Sequence, residues 1–186
     1  ESEEVKDGEI NNFSACLPNQ VPGVQGIYGR EYTMDFPERA PLVRVIQAAP
    51  HLTFQDGKWT YTQGDAHHAW LSAAIDEGRA KGAKWIVVSS HLPCQSVGQY
   101  NCSMPKDFYD LLLAKKVDLV LHGHEHLYQR THQLRSGVAG CATLPVNSFN
   151  PACVADDDGT FAAGAGTVFA TVGTGGIPLR SVNTSD

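Results

Sequence analysis

No apolar run in this chain approaches the roughly 18 residues that a bilayer-crossing helix needs, so neither a helical span nor a membrane partner is expected. Basic runs are missing as well. Lys and Arg number 14 against 20 Asp and Glu, a formal net charge of −6. Without a positive stripe, no nucleic-acid-binding surface is expected. Charged residues make up only 18% and hydrophobic ones 42%, which excludes a disordered or fibrous chain. The opening residues, ESEEVKDGE, lack the basic and apolar stretches of a signal peptide and read as a solvated edge. There is no initiating Met, and the chain stops at SVNTSD just after a strand-like run. It is therefore expected to be a piece cut from a longer protein at both ends. Its 186 residues suit one domain, enough to bury roughly two thirds of the unfolded surface.

No C-x-x-C pair occurs among the five cysteines, so a zinc ribbon or a thiol-redox motif is excluded. Cys94 with Cys102 and Cys141 with Cys153 each bracket a polar loop. Short loops closed by disulfides are the economical reading, and they point to an oxidising, extracytoplasmic compartment. The alternative is five free thiols in the core of a cytosolic enzyme. Cys16 is left over, available to pair outside this stretch.

What is present is a succession of strand and helix signals. REYTMDF (30–36) and PLVRVIQA (41–48) read as strands joined through PERA, and KWTYTQ (58–63) as a short one. From Asp65 the period changes: Trp70, Leu71, Ala74 and Ile75 share a helix face, with Asp65 as N-cap and Gly82 near the end. KWIVVSSH (84–91) and VDLVLHGH (117–124) are continuous apolar runs with polar ends, as in buried strands. Between them PKDFYDLLLAKK (105–116) reads as a helix, with Pro105 in its first turn. A Gly- and Asp-rich excursion (137–166) leads to a third buried strand in GTVFATVGTGG (166–176). Helices alternating with such strands predict an α/β layered fold whose ligands bind where strands end.

The histidines sit at those ends. DLVLHGHEHLYQRTH (118–132) holds four of them within eleven residues. His122, Glu125 and His126 match the letters of the peptidase motif H-x-x-E-H, but that motif works only on a helix, and Gly123 after a strand-like run argues against one. A turn suits the pattern better. His124 and His126 then lie on the same side of an extended segment, and Gly123 lets the chain bend toward a metal. His91 ends a second buried strand in the same way, so the three imidazoles are expected to converge as a metal site.

SSHLP, DLVLHGHEHLYQRT and TVGTGG together resemble the last motifs of the calcineurin-like metallophosphoesterases, and GHEHLYQR is closest to the purple acid phosphatase branch. The resemblance runs from about Tyr28 to Pro178. It implies a metallophosphoesterase-type sandwich of two mixed β-sheets flanked by helices, of which 1–186 is the C-terminal portion of one catalytic domain. It implies a centre of two metal ions (Fe, Zn or Mn) acting on phosphate esters. His91 and His124 match ligands of the second metal and His126 a ligand of the first. Glu125 fills a variable position with no assigned role. Tyr128 and Arg130 resemble a Y-x-R tail with a structural, hydrogen-bonding role, and His122 and His132 are expected beside the site or on the surface. In GDAHHAWL the letters imitate an early aspartate motif, yet Asp65 opens a helix, so His67 and His68 are expected on that helix's surface.

The family's upstream motifs, with the bridging aspartate, a second aspartate, an asparagine and the histidine of Gly-Asn-His, are not found. ESEE would fit behind that last motif, with Glu1 as its final letter. The remainder of the same polypeptide is thus expected to complete the centre. The implied chemistry is metal-assisted hydrolysis, in which two cations hold the phosphate oxygens and hydroxide is delivered in line. No Ser or Cys nucleophile is needed. A Cys94–Cys102 disulfide would hold QSVGQYN over the metals. Plant members carry adjacent histidines in that loop; here Tyr100 and Asn101 stand there as substrate-binding candidates, hydrogen-bond donors but poor general acids near neutral pH. Two other readings remain: a secreted, disulfide-stapled, non-enzymatic module that binds one metal ion, and a zinc peptidase, which predicts a helix at 118–130.

Overall fold

The computed structural model describes residues 22–146 and 148–182. The expectations for Glu1 and Cys16 lie outside the described residues. Seven strands form one mixed sheet in the order β1-β2-β3-β6-β7-β11-β8. They are β1 (Gln25–Ile27), β2 (Glu31–Phe36), β3 (Val43–Gln47), β6 (Trp85–Ser90), β7 (Leu119–His122), β8 (Tyr128–Arg130) and β11 (Val168–Val172). The four central strands β3, β6, β7 and β11 run parallel, while β1, β2 and β8 pair antiparallel at the edges. Two short ladders complete the β structure of the described residues: β4 (Thr53–Phe54) with β5 (Gly57–Lys58), and β9 (Gln133–Leu134) with β10 (Val154–Asp156). The α/β class expected from the alternating pattern is what the chain adopts. Of the sandwich, the described residues carry one large mixed sheet.

Helix α1 (Ala66–Ala80) begins where Asp65 accepts the His68 amide at 2.6 Å, as an N-cap carboxylate should. It ends before Gly82, whose φ of +89° suits only glycine without strain. Leu71, Ala74, Ile75 and Gly78 form its buried stripe, packed on β3 and β6. Helix α2 (Lys106–Ala114) buries Phe108, Tyr109, Leu111 and Leu112. Pro105 stands one place earlier than expected, at the N-cap. Ile46, Ile86, Val88 and Val120 of the central strands are all fully buried and join both helices in one core.

One predicted strand is overturned. Of residues 58–63 only Lys58 is in a ladder, as the second residue of β5. The aromatics that suggested β structure serve burial instead: Trp59 and Tyr61 are in the core. Tyr61 takes a φ of +54°, which interrupts any strand, and its hydroxyl donates to the buried Glu31 carboxylate at 2.7 Å. His67 is likewise not a bare surface residue. Its ring stacks on Trp59 with centroids 4.0 Å apart, and Nδ1 lies 3.1 Å from Glu31.

Candidate metal site at the strand ends

Strands β6 and β7 are parallel and in register, with Ser90 opposite His122. Their next residues leave the sheet side by side, and the Gly123 amide donates to the His91 carbonyl at 3.1 Å. Strand pairing alone thus brings His91 next to the turn that carries the other histidines. Strands at 119–122 and 128–130 also leave no helix across the cluster, which removes the peptidase reading.

The backbone from 123 to 127 is not the extended segment expected from side-chain alternation. The Glu125 amide donates to the Gly123 carbonyl at 2.7 Å, and the Leu127 amide to the Glu125 carbonyl at 2.9 Å. These are two successive γ-turns, centred on His124 and His126. The bend's unusual residue is His124 itself, with φ +64°, and not Gly123. A left-handed conformation at a non-glycine residue costs of order 1–3 kcal/mol and marks a position held by its surroundings.

The two turns splay the imidazoles. His91 Nε2 and His124 Nδ1 lie 3.0 Å apart, their rings nearly perpendicular at 88°. His91 is exposed and His124 half-buried. Among the described residues no three of His, Cys, Asp and Glu come together as a metal site, so His126 does not join the pair. Its backbone is fixed nonetheless, since its carbonyl accepts the Arg180 amide at 3.0 Å. Two ligands about 2.1 Å from one cation at right angles have nitrogens about 3 Å apart, so the His91–His124 spacing fits shared coordination of a single ion.

The remaining histidines fall where no ligand is needed. His122 is buried beneath the site, with Nδ1 3.2 Å from the Thr171 hydroxyl, and burial pushes its pKa down to about 4. His132 is exposed beyond β8. Tyr128 is 65% exposed rather than tied into the site, and the Arg130 guanidinium lies 5.0 Å over the Phe161 ring.

The Cys94–Cys102 disulfide is formed, as is Cys141–Cys153. The loop closed by the first leans on the histidines: the Tyr100 ring is 4.7 Å from that of His124. Asn101 accepts the Ser96 amide through its carbonyl at 3.0 Å, which tightens the loop from within. Two residues that sequence reasoning left without a role hold this loop from below. Gln129 accepts the Val97 amide at 2.8 Å and donates to the Gln95 carbonyl at 2.6 Å. Glu125 is fully buried, accepts the Tyr100 amide, and faces Arg180 at 3.4 Å. Gly173 makes this packing possible, because a Cβ there would run into the Glu125 carbonyl oxygen. No local pattern marks Glu125, since its partners lie 25 and 55 residues away.

The chain is similar to known proteins in both sequence and fold. The model of the calcineurin-like phosphoesterase family matches residues 11–128. An uncharacterized protein of Mycobacterium tuberculosis is 30% identical over 113 residues, covering 56% of this chain and 21% of that protein. Purple acid phosphatase 18 of Arabidopsis thaliana is 28% identical over 85 residues, 42% of this chain and 20% of its own length. The fold is shared with the purple acid phosphatase PPD1 from yellow lupin (Lupinus luteus) seeds, with a TM-score of 0.54, 18% identity, and 84% of this chain aligned to 25% of that one. The chain therefore spans about a quarter or less of the length of these relatives.

Proposed function

Because the chain belongs to the calcineurin-like phosphoesterase family, we propose that it contributes the histidine ligands of a dinuclear metal centre that hydrolyses phosphate esters. His91 and His124 would hold one ion and His126 the other. The observation that carries this reading is the 3.0 Å approach of two imidazole nitrogens at the ends of adjacent parallel strands. That His126 stands apart suits ligands divided between two ions. When bound, such ions (Fe, Zn or Mn) supply charge neutralisation of the phosphoryl oxygens and activation of water.

The protein's own part is to present imidazoles in fixed orientation and to shape the approach. The backbone amide that joins β6 to β7 and the two γ-turns set the ring positions. Tyr100, 38% exposed beside His124, offers a hydroxyl toward an incoming ester, and Asn101 lies next to it in the same loop. The carboxylate ligands of such a centre would come from the remainder of the same polypeptide, with residues 1–186 read as the C-terminal portion of one catalytic domain. Two disulfides favour a secreted protein.

The test is His124→Ala in the complete protein. Hydrolysis of p-nitrophenyl phosphate should fall by more than about 100-fold, with bound metal reduced and the melting temperature little changed. A variant that retains both metal and turnover would overturn the reading. Metal binding without any turnover in the complete wild-type protein would favour the non-enzymatic module instead.

A further inference from the structure

Glu125 lies between two candidate ligands in the sequence and has no exposed surface. Its carboxylate reaches across to the disulfide loop, where it accepts the Tyr100 amide. Gly98 of that loop packs so closely that a Cβ would come within 2.5 Å of the Glu125 carboxyl carbon. The same carboxylate faces the Arg180 guanidinium at 3.4 Å, and Arg180 also donates to the His124 carbonyl at 3.2 Å. The Arg180 guanidinium then lies 5.5 Å over the Tyr100 ring. One buried carboxylate thus ties together the loop, the strained His124 turn and the segment at 180. An acceptor left unmade in this position would be costly, so the arrangement has a strong preference for a single geometry.

We propose that Glu125 is a positioning residue that fixes Tyr100 beside His124 and thereby sets how tightly a phosphate ester is held at the mouth of the site. The proposal rests on the phosphoester-hydrolase reading, but its mechanism is local: Glu125 acts through the Tyr100 backbone and touches neither substrate nor metal. Arg180 stands over the Tyr100 ring, 5.5 Å from its centroid, and an open cleft of about 510 Å³ lined by Gly98, Gln99, Leu179, Arg180, Ser181 and Val182 lies beside it.

The experiment compares Glu125→Ala, Glu125→Gln and Tyr100→Ala in the complete protein by two readouts, amide hydrogen exchange of the 98–101 segment and steady-state hydrolysis of p-nitrophenyl phosphate. Glu125→Ala should speed exchange at Tyr100 by at least tenfold and raise KM about tenfold, with kcat changed less than threefold. Glu125→Gln keeps an acceptor oxygen for the Tyr100 amide, so it should restore most of the protection and most of the KM. Tyr100→Ala should raise KM to the same extent as Glu125→Ala. Unchanged exchange in Glu125→Ala would overturn the proposal, as would a fall in kcat at constant KM. If Glu125→Ala does not fold, Glu125→Gln and Tyr100→Ala decide: a silent Tyr100→Ala means that loop position has no bearing on substrate. The exchange arm needs no turnover, so a protein that proves inactive would sink the hydrolase reading while leaving the clamp itself measured.

Discussion

Arg44 and Asp35 face each other across the β2–β3 ladder and share two hydrogen bonds, Nε to Oδ1 at 2.7 Å and Nη2 to Oδ2 at 2.8 Å. The guanidinium is completely buried, and its remaining nitrogen donates to the Ala74 carbonyl at 2.9 Å and to Glu77 at 3.2 Å. Gly78 clears the space, since a Cβ there would meet Arg44 Cδ at 2.7 Å. One cation therefore joins the sheet to helix α1.

That geometry predicts an acid-sensitive fold. The hydrogen bonds from Arg44 hold the Asp35 carboxyl below its ordinary value, against the opposing effect of burial. A carboxylate whose folded pKa is depressed contributes stability above its unfolded pKa of about 3.9 and loses it as the pH falls through the folded value. Melting temperature measured from pH 5 down to pH 2 should drop steeply in the native chain and less steeply in Asp35→Asn. Arg44→Met should cost about 3 kcal/mol near neutral pH, because it leaves the mostly buried Asp35 charge with only the half-exposed Lys81 ammonium, 3.5 Å away. A loss below about 1 kcal/mol in urea denaturation would contradict this account.

The two disulfides should prove unequal in function though alike in stability. Their sequence separations are 8 and 12, for which loop-closure entropy gives about 2–3 kcal/mol each. Replacing Cys94 and Cys102 together by Ser should lower stability by about that amount and also raise KM, since the loop carries Tyr100. It should not abolish turnover, because Glu125 and Gln129 still grip the loop from below. Replacing Cys141 and Cys153 should cost similar stability with KM unchanged, as that bridge braces the 137–166 excursion. Equal effects on KM, measured after confirming the fold by circular dichroism, would contradict the distinction.

Residues whose role is set by their neighbours in sequence were legible, and those whose role is set by distant partners were not. KWIVVSS and VDLVL read as strands because continuous apolar runs between turn signals have few other solutions, and Asp65 announced its helix through capping chemistry. His91 and His124 come side by side because each lies just past the end of such a strand. Trp59 and Tyr61 misled because aromatic residues favour strands and cores alike, and only the Glu31 carboxylate, 30 residues from Tyr61, decides between them. The turn at 123–127 was misread because nothing in Gly-His-Glu-His says which residue takes the positive φ. Glu125 was silent because its value exists only once the Cys94–Cys102 loop and Arg180 have folded onto it.

Division of the three candidate ligands gives a prediction that separates them. His91 and His124 are 3.0 Å apart and would share one ion, whereas His126 is the central residue of the second γ-turn and stands apart from that pair. Groups that act on one ion are not additive: once either is gone the ion is lost, and removing the second changes little. His91→Ala and His124→Ala should therefore each lower bound metal by the same single equivalent, and the double variant by no more than either alone. His126→Ala should remove a different equivalent, so that combining it with His124→Ala leaves the complete protein with none. Metal content by inductively coupled plasma mass spectrometry after dialysis reads all five proteins without needing activity. If His126→Ala and His124→Ala instead lose the same equivalent and the double variant loses no more, the three imidazoles share one ion, and the division drawn from the two turns is wrong.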